Sequence, residues 1–369
     1  MRAPIRLGLA VACLAALTAC AGDAPATLDT ATAAPADKAT VVRVGEAFLT
    51  PMTPEDNIDS PASWVAADGK VWLIATAKAT DKLVVYDGQS GAKLRDVGSA
   101  GTSAGQFDRP NGIAVVDDLL LVVERDNRRV QVFSLPDFTP LGSFGQSELR
   151  KPYGLWVNKT GAGTYDLYVT DSWDNGEDAQ GNGILPPLSE LDERVRRYAL
   201  QVGQGTLSAQ LTASIGDTGE KGALRVVESL WGDAANDRLL IAEEDETYAN
   251  EFKVYRLDGQ FTGQVFGGQM LQAQAEGIML RTCGDGGWWI TTEQGKGHST
   301  FHLFDRHTLA HAGAFQGSTV ANTDGIWSSQ QASTRFPNGA LYAVHDDRGV
   351  VAFDWGDIAS ALQLPTCAP

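Results

Sequence analysis

The stretch "PASWVAADGKVWLIATAKATDKLVVYDGQSGAKLRDVG", residues 61–98, contains a pattern that recurs along most of the chain. Four short apolar runs are separated by turns that contain Gly, Asp or Thr. Runs of this length, rich in β-branched and aromatic residues, predict β-strands. The pattern returns in residues 109–145, and further copies begin near residues 151, 226, 275 and 323. A four-strand unit repeated at roughly forty to fifty residues is typical of propeller blades.

Six units of this kind predict an all-β protein, a six-bladed β-propeller over residues 41–369. The third unit carries an insertion at 171–193, and the sixth lacks an outer strand. The segment "TVVRVGEAFL", residues 40–49, is placed to supply the missing strand from the other end of the chain. We therefore expect a ring closed by an N-terminal strand, which leaves no exposed sheet edge.

The N-terminus reads as a targeting segment. Arg2 and Arg6 precede the apolar run "LGLAVACLAALTA", which is followed by Cys20. This pattern resembles a bacterial lipoprotein signal, residues 1–20, with Cys20 as the lipidated first residue of the mature chain; an ordinary secretory signal is the alternative. Residues 21–40, rich in Ala, Thr, Pro and Asp, predict a disordered tether. The body is then expected in the periplasm or at the cell surface, held by a lipid anchor that Ala21 directs to the outer membrane.

The formal net charge of −17 makes nucleic acid an improbable partner. The same charge repels anionic substrates unless metal ions reverse the local field. Cys283 and Cys367 are the two cysteines of the body, and an exported protein lies in a compartment that permits disulfides. We expect a bridge between them, with two unrelated thiols as the alternative. A monomer is expected.

Polar residues recur where each unit opens and where its second strand ends. The openings carry Asp59, Asn111, Tyr153, Glu228, Glu276 and Asp324. The second strands end at Lys78, Arg125, Asp171, Glu243 with Glu244, Gln294 and His345. In a propeller both places would meet at one rim of the central channel, where clustered carboxylates would suit calcium. Capping of strand ends and a solvated acidic loop are the alternatives for these acids, including the run "EEDE" at 243–246.

Several motifs resemble those of the bacterial β-propeller phytases. They are "LLIAEEDE" at 239–246, "AEGI" at 275–278, "TEQG" at 292–295, "NTDGIW" at 322–327, "PYGLWV" at 152–157 and "DSPASW" at 59–64. The resemblance implies a calcium-dependent phosphatase acting on inositol hexakisphosphate (phytate) or a related phosphorylated small molecule. Carried over by position, it implies that several calcium ions are held by Asp59, Tyr153, Glu228, Glu243, Glu244, Glu276, Gln294 and Asp324. Glu244, Lys78 and Arg125 would take part in catalysis, the two cations by orienting phosphate.

The chain departs from that pattern at three places. Ser60 and Gln274 stand where the family has acids, and the third unit has no counterpart of a family lysine. These changes predict weaker metal and phosphate binding. The second unit, residues 105–133, looks more like an NHL-type repeat, which is usually a binding module. A non-catalytic propeller that binds a ligand or partner protein, or a calcium-dependent lactonase or esterase, therefore remains an alternative.

Four histidines, His298, His302, His307 and His311, are spaced like a zinc site on a helix. The segment "STFHLFDRH" around them alternates like a strand and lacks the glutamate of a His-Glu-x-x-His motif. We therefore expect strand and turn histidines near the surface.

Overall fold

The computed structural model describes residues 40–203 and 205–367. The predictions for the signal, for Cys20 and for nearly all of the tether lie outside these residues. Two N-terminal strands precede the blades, β1 (Val41–Arg43) and β2 (Phe48–Leu49). Blade one contains β3 (Ile58–Val65), β4 (Val71–Ala77), β5 (Lys82–Asp87) and β6 (Lys93–Val97). Blade two contains β7 (Pro110–Val116), β8 (Leu119–Glu124), β9 (Arg129–Ser134) and β10 (Thr139–Phe144).

The remaining blades repeat this order. Blade three contains β11 (Pro152–Gly161), β12 (Thr164–Asp171), β13 (Val195–Gly203) and β14 (Thr206–Ile215). Blade four contains β15 (Leu230–Asp233), β16 (Arg238–Glu243), β17 (Glu251–Tyr255) and β18 (Phe261–Phe266). Blade five contains β19 (Gln274–Cys283), β20 (Gly286–Gln294), β21 (Thr300–Asp305) and β22 (His311–Gln316). Blade six contains β23 (Ile326–Ser329), β24 (Ala340–His345) and β25 (Gly349–Asp354), and helix α1 (Trp355–Ala361) follows; 3-10 turns cover Leu188–Glu193 and Ala234–Asn236.

Each blade is an antiparallel sheet in chain order, with its first strand innermost. The six inner strands contact each other in sequence, β3 to β7, β11, β15, β19, β23 and back to β3, so the blades form a closed ring. Second strands such as β8 are buried on both faces and are apolar up to their last residue, Glu124, whereas the outer strand β6 is exposed and charged. The predicted six-bladed propeller is confirmed.

The ring is closed by the N-terminal segment in two blades. Strand β2 pairs antiparallel with β25 as the outer strand of blade six, which confirms the predicted closure. Strand β1 pairs parallel with β22 and gives blade five a fifth strand. The two strands of this segment join different blades. Between them, the Glu46 carboxylate binds to blade five, where it accepts hydrogen bonds from the N–H groups of Thr319 (2.7 Å) and Val320 (3.0 Å).

The C-terminal segment is fixed to blade five. Helix α1 begins at Trp355, and the Asp354 carboxylate caps it by accepting a hydrogen bond from Gly356 N (2.7 Å). Trp355 is fully buried beneath the Arg281 guanidinium, 4.1 Å from the ring centre. A disulfide joins Cys283, the last residue of β19, to Cys367. Within the described part of the chain no helix is long and apolar enough to cross a membrane.

Two of the clustered histidines are partly or fully buried in blade five. His302 Nδ1 lies 3.2 Å from His311 Nε2, and His302 Nε2 lies 2.9 Å from a Glu293 carboxylate oxygen. Burial, and then the nearby His302, lower the pKa of His311 to about 4. His302 is only 5% exposed, so the expectation of surface histidines was wrong for it.

Replacing His311 by Gln is expected to flatten the pH dependence of stability below neutrality. An unfolded histidine binds its proton near pH 6.5, whereas His311 in the fold does so near pH 4. Between these values the unfolded chain binds more protons, so the protein loses stability as the pH falls. The melting temperature of His311→Gln should therefore fall less than that of the wild type between pH 7 and pH 4.5. His298→Gln, at an exposed position, is the control; equal slopes for wild type and His311→Gln would contradict the prediction.

Candidate functional site

The polar residues at the blade openings form one ring at one end of the channel. The cavity there, of about 60 Å³, is lined by Asp59, Tyr153, Glu228, Glu276 and Asp324. Two residues farther along each inner strand, the side chains that line it are Pro61, Ile113, Leu155, Leu230, Ile278 and Ile326. Because residues two apart lie on the same face of a strand, one polar layer lies directly above one apolar layer. Trp231 and Trp327 pack edge to face below it, with ring centres 5.9 Å apart.

A β-bulge places the polar residue in several blades. In β3 the partner register jumps between Ile58 and Pro61, so Asp59 and Ser60 together oppose Thr76. The same jump occurs in β7, β11 and β19. Thr76 Oγ1 accepts a hydrogen bond from Ser60 N (3.0 Å) and donates one to Asn111 O in the next blade (2.7 Å). The bulge therefore directs the polar side chain and also ties neighbouring blades together.

Small residues after the polar position allow the inner strands to approach closely. A Cβ on Gly154 would lie 2.0 Å from Glu228 O, and one on Gly112 would lie 2.4 Å from Tyr153 O. Both contacts are with the backbone of the next blade, which cannot move aside as a flexible side chain could. The glycines thus fix the spacing between successive polar residues of the ring.

Five carboxylates share one cation at this end of the channel. We call Asp59, Glu228, Glu244, Glu276 and Asp324 the acidic cluster. Lys78 Nζ lies 2.6 Å from Asp59 Oδ1 and 3.5 Å from Asp324 Oδ2, and it is the one cation that the described residues place in ion-pair contact with the cluster. Tyr153 OH donates to Asp59 Oδ1 (3.0 Å), and the Gln294 amide donates to Asp324.

The crowding of these carboxylates shifts their pKa values. Burial, and then Asp59, raise the pKa of Glu228 to about 7. Burial raises the pKa of Glu244 well above its usual value, with Glu228 as the next cause. The pKa values of Glu276 and Asp324 are raised in the same direction, by burial first and then by neighbouring carboxylates. For Lys78, burial opposes protonation, but Asp59 and Asp324 outweigh it and raise the pKa. The surroundings therefore do not compensate five ionised carboxylates, and without a metal these groups retain protons more readily than isolated carboxyl groups.

Glu244 has one buried oxygen without a partner. Its Oε1 accepts hydrogen bonds from Ser229 N (2.9 Å) and Glu228 N (3.2 Å), which fix the side chain. Its Oε2 is buried and has no hydrogen-bond partner among the described residues. A buried acceptor without a partner costs about 1–3 kcal/mol or more for a charged group.

The run "EEDE" divides among four different environments. Glu243 turns away from the cluster and lies 3.2 Å from Lys253 Nζ, which is fully buried. Glu244 belongs to the cluster, and Asp245 accepts a hydrogen bond from Thr247 N (2.9 Å) in a turn. Glu246 is exposed. The structure therefore does not bring Glu243 to the predicted metal site.

Acids at the ends of other second strands have the same structural role as Glu243. The Glu243 carboxylate accepts hydrogen bonds from Arg225 N (3.1 Å) and Val226 N (3.2 Å) in the loop that leads to β15. Equivalent bonds run from Lys151 N to Asp171 (2.7 Å) and from Asp108 N to Glu124 (3.1 Å). These acids hold the loop before each inner strand. The acids at the ends of these second strands therefore recur largely because they fix the backbone of the neighbouring loops. This role agrees with the alternative that they cap strand ends.

Arg125 is also separate from the acidic cluster. Its guanidinium pairs with Asp126 at 2.7 Å and lines a neighbouring groove between blades two and three. The two residues that depart from the phytase pattern lie beside the cluster. Ser60 Oγ donates to Asp59 Oδ2 (3.0 Å), and Gln274 Nε2 donates to Glu244 O (3.2 Å).

Asn111 completes the ring at the opening of blade two. Asn111 Nδ2 lies 3.4 Å from Asp59 Oδ1, and its Oδ1 is buried without a partner among the described residues. The sequence placed Asn111 at the opening of its blade, but an amide among carboxylates was not predicted to be a metal ligand. No three His, Cys, Asp or Glu side chains of the described segments are arranged so that they could hold a metal ion as they stand.

Comparison with known proteins gives one family match, in blade two. The NHL repeat model matches residues 107–133, which contain β7, β8 and most of β9. No curated protein matches the sequence. A crystal structure of a nidogen/laminin complex has 13% identity, covers 74% of this chain and 86% of its own, and gives a TM-score of 0.47. A catalytically inactive virginiamycin B lyase from Staphylococcus aureus with quinupristin has 11% identity, with 83% and 98% covered and a TM-score of 0.47. By its own sheet topology this chain is a six-bladed β-propeller, and its second blade matches the NHL repeat model.

Proposed function

We propose that the protein is a calcium-dependent phosphomonoester hydrolase that acts on phytate or a related phosphorylated small molecule. The observation that carries the proposal is the acidic cluster, where five carboxylates meet at the channel mouth with one cation, Lys78, in ion-pair contact. Carried over by position, the resemblance to the β-propeller phytases includes all five of these acids and Lys78. Four of the acids, Asp59, Glu244, Glu276 and Asp324, stand in segments that resemble motifs of that family.

The chemistry of the donors fits calcium. All candidate ligands are oxygens, which calcium prefers in sets of six to eight. With all five carboxylates ionised, two calcium ions would balance the charge that Lys78 leaves uncompensated, and the buried Glu244 Oε2 would gain a partner. The residues that would hold the ions are the acidic cluster with Tyr153 and Gln294. Bound calcium would supply a positive field for phosphate and would lower the pKa of water.

The protein's own residues would orient the substrate. Lys78 is 11% exposed at its side chain and is held by Asp59, so its ammonium group could donate to a phosphate oxygen without first being ordered. The apolar layer of Ile113, Leu155 and Ile278 closes the channel beneath the cluster. It would exclude water from one side and keep the reacting phosphate at the mouth.

A second function, binding of a ligand or partner protein at this face without catalysis, is favoured by the NHL repeat match at residues 107–133. Ser60 and Gln274 argue in the same direction because each removes one carboxylate from the site. A calcium-dependent lactonase or esterase would share the metal requirement but release a different product.

We also propose that the chain is exported as a lipoprotein anchored through Cys20, with its propeller domain as a monomer outside the cytoplasm. The proposal rests on the N-terminal sequence. Mass spectrometry of the mature chain would test it, because a diacylglyceryl group on an N-terminal Cys20 is expected; an unmodified N-terminus elsewhere would contradict it.

The decisive experiment is a calcium titration of phosphate release from phytate, with a chelator control and a matched pair of variants. Glu244→Gln keeps the acceptor for Ser229 N and Glu228 N and removes only the charge, so we expect release to fall at least about 100-fold. Glu246→Gln, in the same acidic run but exposed, should retain wild-type activity.

Each alternative predicts a different result in this assay. Release that persists in chelator, or that is unchanged in Glu244→Gln, would refute the proposed site. No release, with calcium still raising the melting temperature, would favour the binding function. Hydrolysis of a lactone in place of phytate would identify the lactonase alternative.

A further inference from the structure

A separate pocket lies at the other end of the channel. The acidic cluster is found where the inner strands begin, whereas this pocket, of about 270 Å³, is lined by residues at and just after the ends of three inner strands. These residues belong to blades six, one and two and include Ser63, Trp64, Val115, Trp327, Ser329 and Gln331. Trp327 also lines the cavity at the acidic cluster, so its side chain lies between the two places.

Hydrogen bonds between blades fix the walls of this pocket. Trp64 Nε1 of blade one donates to Asp118 Oδ1 (3.0 Å) in a turn of blade two. The Gln330 amide, also in the lining, accepts a hydrogen bond from Thr282 N (2.9 Å) and donates one to Thr282 O (3.0 Å) in blade five. Because these side chains are already ordered, a ligand that enters the pocket pays little to order them.

The pocket offers no uncompensated charge to a ligand. Among the described residues, Asp117 is the one charged residue of the lining. Its Oδ1 lies 2.7 Å from Lys159 Nζ, and its Oδ2 accepts a hydrogen bond from Tyr165 OH (2.8 Å). The pocket therefore has no free carboxylate for a cation and no cation for an anion. Since burying an unpaired charge is costly, a neutral ligand is favoured.

Two serine hydroxyls in the lining have unused hydrogen-bonding capacity. Ser63 is 7% exposed and Ser329 is 9% exposed. Their Oγ atoms form no hydrogen bond with any described residue, yet both atoms remain open to solvent. The Oγ of Ser328, the residue before Ser329, is also unbonded but is closed to solvent. Because a hydroxyl can donate one hydrogen bond and accept two, Ser63 and Ser329 can each pair with a ligand hydroxyl.

We propose that this pocket binds a neutral cyclic polyol such as a monosaccharide. The hydroxyls of the ligand pair with Ser63, Ser329 and the exposed amide of Gln331, and its C–H groups pack on the indoles of Trp64 and Trp327. The pocket and the acidic cluster lie at opposite ends of the inner strands, so this binding requires neither calcium nor phosphate. A free sugar and the end of a glycan chain present the same hydroxyls, so either can occupy the pocket.

The proposal can be tested in chelator with ligands that carry no phosphate, which separates it from the proposed hydrolysis. Ligand-observed NMR titrations with glucose and with myo-inositol are expected to show saturable binding to the wild type with a Kd in the millimolar range. A parallel titration with maltotriose distinguishes the two sources of the ligand. Binding of glucose alone would identify a free sugar, and equal or tighter binding of maltotriose would identify a glycan chain.

Three serine variants locate the binding. Ser63→Ala and Ser329→Ala remove hydroxyls that bond to no described residue, so both variants are expected to fold. Each should weaken binding about fivefold, the usual loss for one neutral hydrogen bond. Ser328→Ala is the matched control, because its hydroxyl is closed to solvent, and it should bind like the wild type. Absence of saturable binding, or equal affinity in the wild type, Ser63→Ala and Ser329→Ala, would overturn the proposal whether or not phytate is hydrolysed.

Discussion

Glu243→Ala should lower the free energy of unfolding by about 3–5 kcal/mol, the usual cost of removing one partner from a buried ion pair. Lys253, its partner at 3.2 Å, is completely buried. Burial already lowers the pKa of Lys253, and Glu243 is the largest influence that opposes this. The variant would also remove the acceptor for Arg225 N and Val226 N. It therefore removes the nearest carboxylate of a buried cation, whose other carboxylate contact is Glu251 at 3.8 Å, and it leaves these backbone donors without their acceptor.

Chemical unfolding monitored by tryptophan fluorescence would measure this loss. Glu246→Ala, three residues away and exposed, should stay within about 0.5 kcal/mol of the wild type. The double variant Glu243→Leu/Lys253→Met should recover much of the stability, because apolar residues of similar size can replace a buried pair. A loss below about 1 kcal/mol in Glu243→Ala would show that Glu243 does not have this structural role.

Lys78→Met should bind calcium more tightly and hydrolyse phytate poorly. Lys78 Nζ lies among the carboxylates that would hold the metal, 2.6 Å from Asp59. A unit positive charge and a divalent ion several ångströms apart repel each other by roughly 1–2 kcal/mol even at the dielectric constant of water, so removing the ammonium group should raise calcium affinity about tenfold. The same change removes the donor proposed to orient phosphate, so phosphate release should fall.

In the absence of calcium, Lys78→Met should destabilise the protein, although it favours calcium binding. Without Lys78 the five carboxylates have no ion-pair partner among the described residues, so in chelator Lys78→Met should be less stable than the wild type. Calcium should then raise its melting temperature by more than that of the wild type. Lys82→Met is a control, because Lys82 pairs with Asp56 and Asp96 outside the cluster. Equal calcium affinity for wild type and Lys78→Met would exclude a metal beside Lys78.

The sequence predicts the propeller because the residues that form each blade are close together in the chain. Period-two alternation and Gly or Asp turns recur in every unit, so the strands and the inward position of residues such as Asp59 and Glu228 could be inferred. The direction in which the acids at the ends of the second strands point could not be inferred. Glu243 and Glu244 are adjacent and identical in type, yet successive residues of a strand point to opposite sides, and only the register decides which one meets the cluster.

Two other features of the site depend on contacts between blades. The bulge at Asp59 and Ser60 arises because Thr76 bonds both to its own blade and to Asn111 O in the next. The groove that Arg125 lines also depends on such a contact, because the Arg150 guanidinium lies over the ring of Trp173, twenty-three residues later, at 4.2 Å from its centre. Sequence periodicity carries no information on such pairs.

The closure of the ring determines the order in which the protein can be completed. Strands β1 and β2 are among the first parts of the domain to be synthesised, but their partners β22 and β25 are among the last. Strand β1 has no partner until residue 316 has emerged, and β2 has none until residue 354 has emerged, so the sheets of blades five and six keep an unpaired edge until then. Contacts this distant in sequence form slowly. A chain that stops before β25 therefore cannot seal the seam between blades five and six, however well its first four blades have folded.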